Sequence, residues 1–468
     1  MKGSCVYAAV FFHTFKKKVQ KGTALRRTSF RKRRKRNVYG RYVAAIFIWL
    51  LFITGIVHMI SREEGGFGGT DTESRLDVPE GELPEPTSGS TIRVLLMTTG
   101  YGGEIHSEVR VSSDAGLRVS CAGESIEWNK ADTYQILPDD ARFQKGNIRI
   151  ESLGQGGQIR LESVERGCGV PSYSGALELR AASGGIAVIN ELPVETYLCG
   201  VVPSEMPASY ELEALKAQAV CARSYAFRQM TSYGYPEYEA HVNDSTDFQV
   251  YNNSERQESS TRAVTETEGQ VVRYKGEIAT TYYYSTSCGR TTSLEAWGTD
   301  PGEGGGYLQS VNVCGDNGDY EKDLPWYRWT AQVPVQTLSA LVSTNTGVNV
   351  GTLSGVEVTK RGPGDVALQI VASGDAGSVT VDTENKIRAA LGGSGYTITK
   401  NDGSTSQSTS LLPSAFFTIE RSGDTFVISG GGFGHGIGMS QNGANEMAKQ
   451  GADYREILQL FYRDVEIG

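Results

Sequence analysis

Residues 209–230 read SYELEALKAQAVCARSYAFRQM, and the fold turns on this stretch. Leu212, Leu215, Ala219, Ala222 and Ala226 return at helical spacing along one stripe. Ser209 can cap the segment, and Glu211 and Glu213 fall in its first turn, where the helix dipole favours acids. Ala214, Ala217, Ala219, Ala222 and Ala226 raise helix propensity and let other backbone come close. The pattern predicts a helix packed inside a domain rather than draped over it.

Outward from this helix the sequence changes period. Short alternating stretches at 92–96, 148–150, 177–179 and 186–189 are separated by Gly-rich turns and predict strands. Strands are expected again over 270–287, 352–370 and 416–429, and a last helix over 455–462. No fixed-period repeat of the solenoid or propeller kind is present. The expected class is α+β, a mostly β ectodomain around a central Ala-rich helix, preceded by one transmembrane helix.

That last element follows from residues 42–60, YVAAIFIWLLFITGIVHMI, which contain no Lys, Arg, Asp or Glu. As a helix they would span about 28 Å, enough for a hydrocarbon core. Basic residues precede the stretch and Glu63 and Glu64 follow it, so a cytoplasmic N-terminus and an extracytoplasmic remainder are expected. The alternative, a cleaved signal peptide, lacks a small-residue cleavage site at 58–62. The reading is therefore a single-pass protein of the cell membrane. Residues 61–91, rich in Gly, Pro, Ser and acids, read as a flexible linker. The ordered domain is expected at 92–468, with a β-rich subdomain inserted at about 330–412.

Charge sorts the partners. The chain of 468 residues carries 45 Lys and Arg against 54 Asp and Glu, a net charge of −9. The 14 charges within residues 1–41 are all basic, which leaves 31 bases against 54 acids beyond them, near −23. A polyanionic nucleic acid is a poor partner for such a surface. The basic tail reads as a topology signal in contact with anionic lipid headgroups. Of seven cysteines, Cys5 falls on the cytoplasmic side. Cys121, Cys168, Cys199, Cys221, Cys288 and Cys314 are either disulfide-forming or scattered buried thiols; Cys199 with Cys221 and Cys288 with Cys314 are the expected pairs if they bond.

Three stretches carry candidate chemistry. Glu205 lies in VVPSEMP, residues 201–207, with prolines on both sides, and is expected on a stiffened turn just before the core helix. Apolar neighbours would raise its pKa, as a general acid requires, although a carboxylate stabilised by a helix N-terminus also fits. Residues 430–443, GGGFGHGIGMSQNG, lack the Lys and Ser or Thr of a phosphate loop; their glycines let backbone approach a ligand, and His435 and Gln441 could hydrogen-bond a sugar. Residues 282–290, YYYSTSCGR, alternate tyrosines and hydroxyls, which suits a carbohydrate cleft and equally an ordinary strand. No His lies between His241 and His435, so a zinc site is not expected, and nothing near Cys288 looks like a base for a thiol nucleophile.

Together LPVETYLCGVVPSEMPASYELEALKAQAVCARSYA, STDFQVYNN, TTYYYSTSCGRTTSLEAWG and GGGFGHGIGMSQNGANEMAKQGADYREILQLFY resemble, in order and spacing, the SpoIID/LytB family of bacterial cell-wall proteins. The resemblance implies a peptidoglycan lytic transglycosylase that cuts between N-acetylmuramic acid and N-acetylglucosamine during sporulation engulfment. It implies glycan strands as substrate, and a SpoIIP-like amidase and a SpoIIM-like membrane protein as partners. The Glu of the family's E-M-P motif falls on Glu205, which would serve as acid and then base. Matching motifs place Gln249, Tyr251, Ser285, Thr286, Ser287, His435 and Gln441 at substrate. Asp244, Asp247 and Glu295 are the acids available if hydrolysis were the outcome. Some family members hold a metal with His and Cys near the Tyr-Ser-Thr-Ser segment; this chain has Tyr284 and a lone Cys288 there, so no metal and no cofactor are expected. The rival expectation is a non-catalytic wall-binding domain that enhances an amidase, and a third is a structural tether.

Overall fold

The computed structural model describes residues 87, 89–128 and 132–468. The expected basic tail, the membrane segment at 42–60 and nearly all of the linker lie outside the described residues. Among the described residues no helix is long and apolar enough to cross a membrane.

The fold is α+β and mostly β, as the alternating segments require. Its largest sheet runs in the order Val242–Asn243, Thr91–Leu95, Gly185–Pro193, Ala176–Ala182, Ile148–Ser152, Leu117–Cys121 and Glu124–Trp128, with Ile105–His106 paired to Gly185–Pro193. Every pairing is antiparallel except that of Thr91–Leu95 with Val242–Asn243. Register sets Leu177 opposite Ile150, Leu179 opposite Ile148 and Val119 opposite Ile150, so buried apolar pairs stack across neighbouring strands on one face. At the alternate positions Arg93, Glu178, Arg180 and Glu191 form ion pairs. A four-stranded sheet of Tyr134–Ile136, Val109–Ser112, Ile159–Leu161 and Ser172–Tyr173 shares the same hydrophobic core.

Seven α-helices are present among the described residues: α1 Val194–Glu205, α2 Leu212–Gln229, α3 Glu258–Glu266, α4 Val335–Thr346, α5 Glu384–Leu391, α6 Gln441–Lys449 and α7 Tyr454–Phe461. The Ala-rich stretch is α2, and α1, α3, α6 and α7 all pack against it. Twelve of its residues are buried, the alanines among them, because neighbours enclose it on nearly every side. Ser209 does not cap it; the helix starts at Leu212, and Asn445 of α6 accepts the N–H of Glu211 (2.9 Å). The closing helix α7 carries a capping box of Asp453 and Glu456.

A second β region follows. Trp329–Pro334 is the centre of a five-stranded sheet with Thr397–Lys400, Thr405–Gln407, Thr425–Gly430 and Phe417–Ser422, so the region continues past residue 412. The stretch expected as strand over 352–370 is two strands, Leu353–Arg361 and Ala367–Gly374, broken by a turn at Pro363–Asp365. The expected cysteine pairs are not formed: Cys121, Cys168, Cys199, Cys221, Cys288 and Cys314 are all free. Cys221 lies inside α2 against the Tyr462 hydroxyl (3.3 Å), while Cys288 is buried and Cys314 exposed. Five of the six are thus enclosed to some degree by packing rather than cross-linked.

Candidate active site

The turn expected around Glu205 is instead the end of a helix. Val194–Glu205 is helical with Pro203 inside it, and Met206 leaves in extended conformation (φ −127°, ψ 140°). Pro207 explains the stop, because the residue before a proline is pushed out of the helical region. Glu205 therefore sits at the negative end of the α1 dipole, where its charge is disfavoured, the reverse of the helix N-terminus weighed from sequence.

Glu205 is half-buried, and its Oε1 accepts the N–H of Val250 (2.7 Å). The side chains of Tyr283 and Gln441 face the same carboxyl as hydrogen-bonding partners. Burial outweighs these three contacts, and the carboxyl is pushed from 4.5 up to about 7. Four separate segments thus converge on one acid: the end of α1, the loop before α3, the Tyr-rich stretch and the start of α6. Glu205 lines neither of two surface hollows, one bounded by Gln309, Gln459 and Arg463 and the other by Arg256, Thr261 and Thr265.

The expected substrate-binding residues divide. Gln441 faces Glu205 and also reaches Gln218 of α2 (3.4 Å). Gln249 is buried and acts from behind, donating to the Tyr283 hydroxyl (3.1 Å) and to Ala222 O, and accepting from Tyr197 (3.3 Å). Tyr251 is 0% exposed; its hydroxyl donates to Asn190 (2.9 Å) and its ring packs between Tyr197 and Tyr173. That burial leaves Tyr251 no surface for a saccharide, which corrects its expected role.

Ser285, Thr286, Ser287 and His435 belong to a sewn loop. Tyr283 and Tyr284 pair in parallel with Met439 and Ser440. Gly438 has φ +74°, and a Cβ there would stand 2.1 Å from Tyr282 O, so only glycine permits this approach. His435 Nδ1 accepts from Ile437 N (3.1 Å), which leaves the proton on Nε2 to donate to Tyr283 O (2.9 Å). Burial pushes this imidazole down to about 4, so it is neutral near pH 7. Asn442 joins Ser285 O and Thr286 Oγ1 (3.0 Å) to the Tyr210 hydroxyl. Of these expected substrate contacts only Ser285 and His435 keep exposed surface; Thr286 and Ser287 are buried.

Two residues absent from the sequence-based candidate set enter here. Tyr283 sits in the quoted Tyr-rich motif, where alternation gave no sign of which tyrosine turns inward. Glu321 gave no signal at all. Fully buried, its Oε1 accepts from Ser287 N (2.9 Å) and Ser440 Oγ (2.8 Å), and its Oε2 accepts from Ser287 Oγ. Burial pushes it, too, up to about 7. It ties the Ser-Thr-Ser loop to the residue beside Gln441. Of the other candidate acids, Asp244 is buried and paired with Arg166 (2.5 Å), and Asp247 and Glu295 are exposed. Among the described residues no group of three or more His, Cys, Asp or Glu is placed to hold a metal.

Comparison with known proteins covers part of this site. A family model described as stage II sporulation protein matches residues 182–274. Stage II sporulation protein D of Bacillus subtilis is 32% identical over 319 residues, 64% of this chain and 82% of that protein. The chain belongs to the stage II sporulation protein D family. An uncharacterized protein of Brachyspira hyodysenteriae is 32% identical over 63% of this chain and 72% of its own length. The amidase enhancer of Bacillus subtilis is 32% identical over 57% of this chain but only 39% of its own. A domain of unknown function (DUF8618) matches residues 309–438. Against this family frame Glu205, Gln249 and Tyr251 lie in the stage II sporulation match, Glu321 and His435 in the second, and Tyr283, the Ser-Thr-Ser loop and Gln441 in neither.

Proposed function

We propose that this chain is a lytic transglycosylase acting on peptidoglycan glycan strands in sporulation, with Glu205 as its single general acid and base. The observation that carries the reading is the Glu205 carboxyl, enclosed, held by Val250 N–H and raised to about 7, so that the protonated form is available near neutral pH. Glu205 donates its proton to the oxygen bridging N-acetylmuramic acid to N-acetylglucosamine, and the bond from that oxygen to the muramic anomeric carbon breaks. The muramic C6 hydroxyl then attacks the same carbon and gives its proton back to Glu205. A 1,6-anhydro end forms, no water is consumed, and the acid is restored. One carboxyl suffices, whereas an inverting hydrolase needs a second to activate water. Tyr283 and Gln441 orient the carboxyl, and Gln249 holds Tyr283.

The expected anchor at 42–60 would keep the domain at the outer face of the cell membrane, beside a SpoIIP-like amidase and a SpoIIM-like membrane protein. The test is digestion of purified glycan strands by the protein and by its Glu205→Ala variant, with mass spectrometry of the products. Anhydro-ended saccharides from the wild type alone support the reading. A second reading has its own support in the likeness to an amidase enhancer. It predicts no anhydro products from either protein and a rise in amidase rate on mixing.

A further inference from the structure

The glycine-rich loop does more than seat His435. Gly432 and Gly434 both take left-handed φ (+83° and +117°), and Phe433 between them points outward, 37% exposed. Few large apolar side chains of the described residues are this exposed. The backbone of Phe433 exchanges two hydrogen bonds with Thr286, so this ring stands beside the Ser-Thr-Ser loop, whose partner Asn442 adjoins Gln441 at Glu205. Trp326 packs against it, centroids 4.7 Å apart at 43°, and Gly432 N donates to Trp326 O (2.8 Å).

Cations flank these rings. Lys400 Nζ lies 4.8 Å from the Trp326 ring centroid, and the Arg328 guanidinium 3.9 Å from that of Tyr327. Neither Lys400 nor Arg328 forms a salt bridge among the described residues, although Asp402 lies within electrostatic reach of Lys400 and Arg328 donates to Cys288 O and Tyr327 O. Half-exposed aromatic faces offer stacking area for the apolar faces of sugar rings, and a lysine without a salt bridge beside them suits a carboxylate. A nucleic acid would meet the same rings and cations, but the strongly acidic remainder opposes it.

We propose that Phe433, Trp326 and Lys400 form a second saccharide subsite, remote from bond cleavage, that holds an N-acetylated amino-sugar chain bearing carboxylates as it leaves Glu205. The proposal names a further contact for the glycan of the preceding section and rests on that reading for its direction along the strand. It also gives the segment matched as a domain of unknown function a task, because all three residues lie within 309–438.

The test is binding of peptide-free glycan strands by the full-length chain in the Glu205→Gln background, compared with the same chain carrying Phe433→Ala or Lys400→Ala. Each added substitution is expected to weaken binding roughly 5- to 10-fold, with thermal midpoints unchanged because both side chains reach the surface. Uncharged chitohexaose should lose affinity with Phe433→Ala and not with Lys400→Ala. Unchanged strand binding in both variants, no strand binding by the parent chain, or tighter binding of oligo-dT than of glycan would overturn the subsite. If the wild type cleaves nothing while Phe433→Ala still weakens binding, the subsite stands and the transglycosylase reading falls.

Discussion

Glu205→Gln should make the protein more stable and inactive at once. Burial holds the Glu205 carboxyl at about 7 against an ordinary 4.5, so folding favours its protonated form. The stability tied to that preference is whole below about pH 4.5 and is lost as pH rises through 7. The gap between the two values corresponds to about 3 kcal/mol at 25 °C. Glutamine keeps an oxygen for Val250 N–H and never ionises. Its advantage over wild type should therefore be near zero at pH 4 and approach about 3 kcal/mol by pH 8.5. For a domain of about 380 residues, with about 2.1 cal/mol/K of unfolding entropy per residue, that is about 4 °C in thermal midpoint. Loss of the proton donor should meanwhile lower strand cleavage by about 100- to 10,000-fold. Denaturant unfolding at the two pH values, with product mass spectrometry, measures both. A stability difference independent of pH, or retained cleavage, refutes the reasoning.

The other predictions probe the surroundings of the acid. The wild-type rate on glycan strands should fall about tenfold per pH unit above pH 7, because the acid form of Glu205 is then being lost; a flat profile from pH 6 to 9 contradicts this. Glu321→Ala removes the acceptor of two serine hydroxyls and one buried N–H, and urea unfolding should show a loss of about 3 kcal/mol or more, with Glu321→Gln restoring much of it. Tyr251→Phe should cost about 1 kcal/mol in the same assay and leave kcat/KM on strands unchanged, since that hydroxyl serves Asn190. Maleimide labelling of the unfolded chain without reductant should modify all six cysteines from Cys121 to Cys314; protection of any pair would restore a disulfide.

The Ala-rich helix and the alternating strands were legible because period and propensity are local properties. Leu212 to Gln229 needed only their own spacing to be read as a buried helix, and Ile148, Ile150, Leu177 and Leu179 only their alternation. Glu205 stood out through its motif. What surrounds it did not, because its contacts come from residues 45 to 236 positions away. No local pattern marks Glu321, and Tyr251 in a matching motif turned out to be core. The six cysteines had an even count, yet all six are free.

The sequence alone thus determined the helical and strand periods, the split between a basic head and an acidic remainder, and the identity of the one acid worth testing. Only the tertiary structure decided that this acid ends a helix rather than sits on a turn. It also decided that Val250, Tyr283 and Gln441 meet at the acid, and that burial outweighs their hydrogen bonds. The reason is that a carboxyl's proton affinity is set by the sum of desolvation and contacts from distant segments, and that sum exists only once the chain has closed around it.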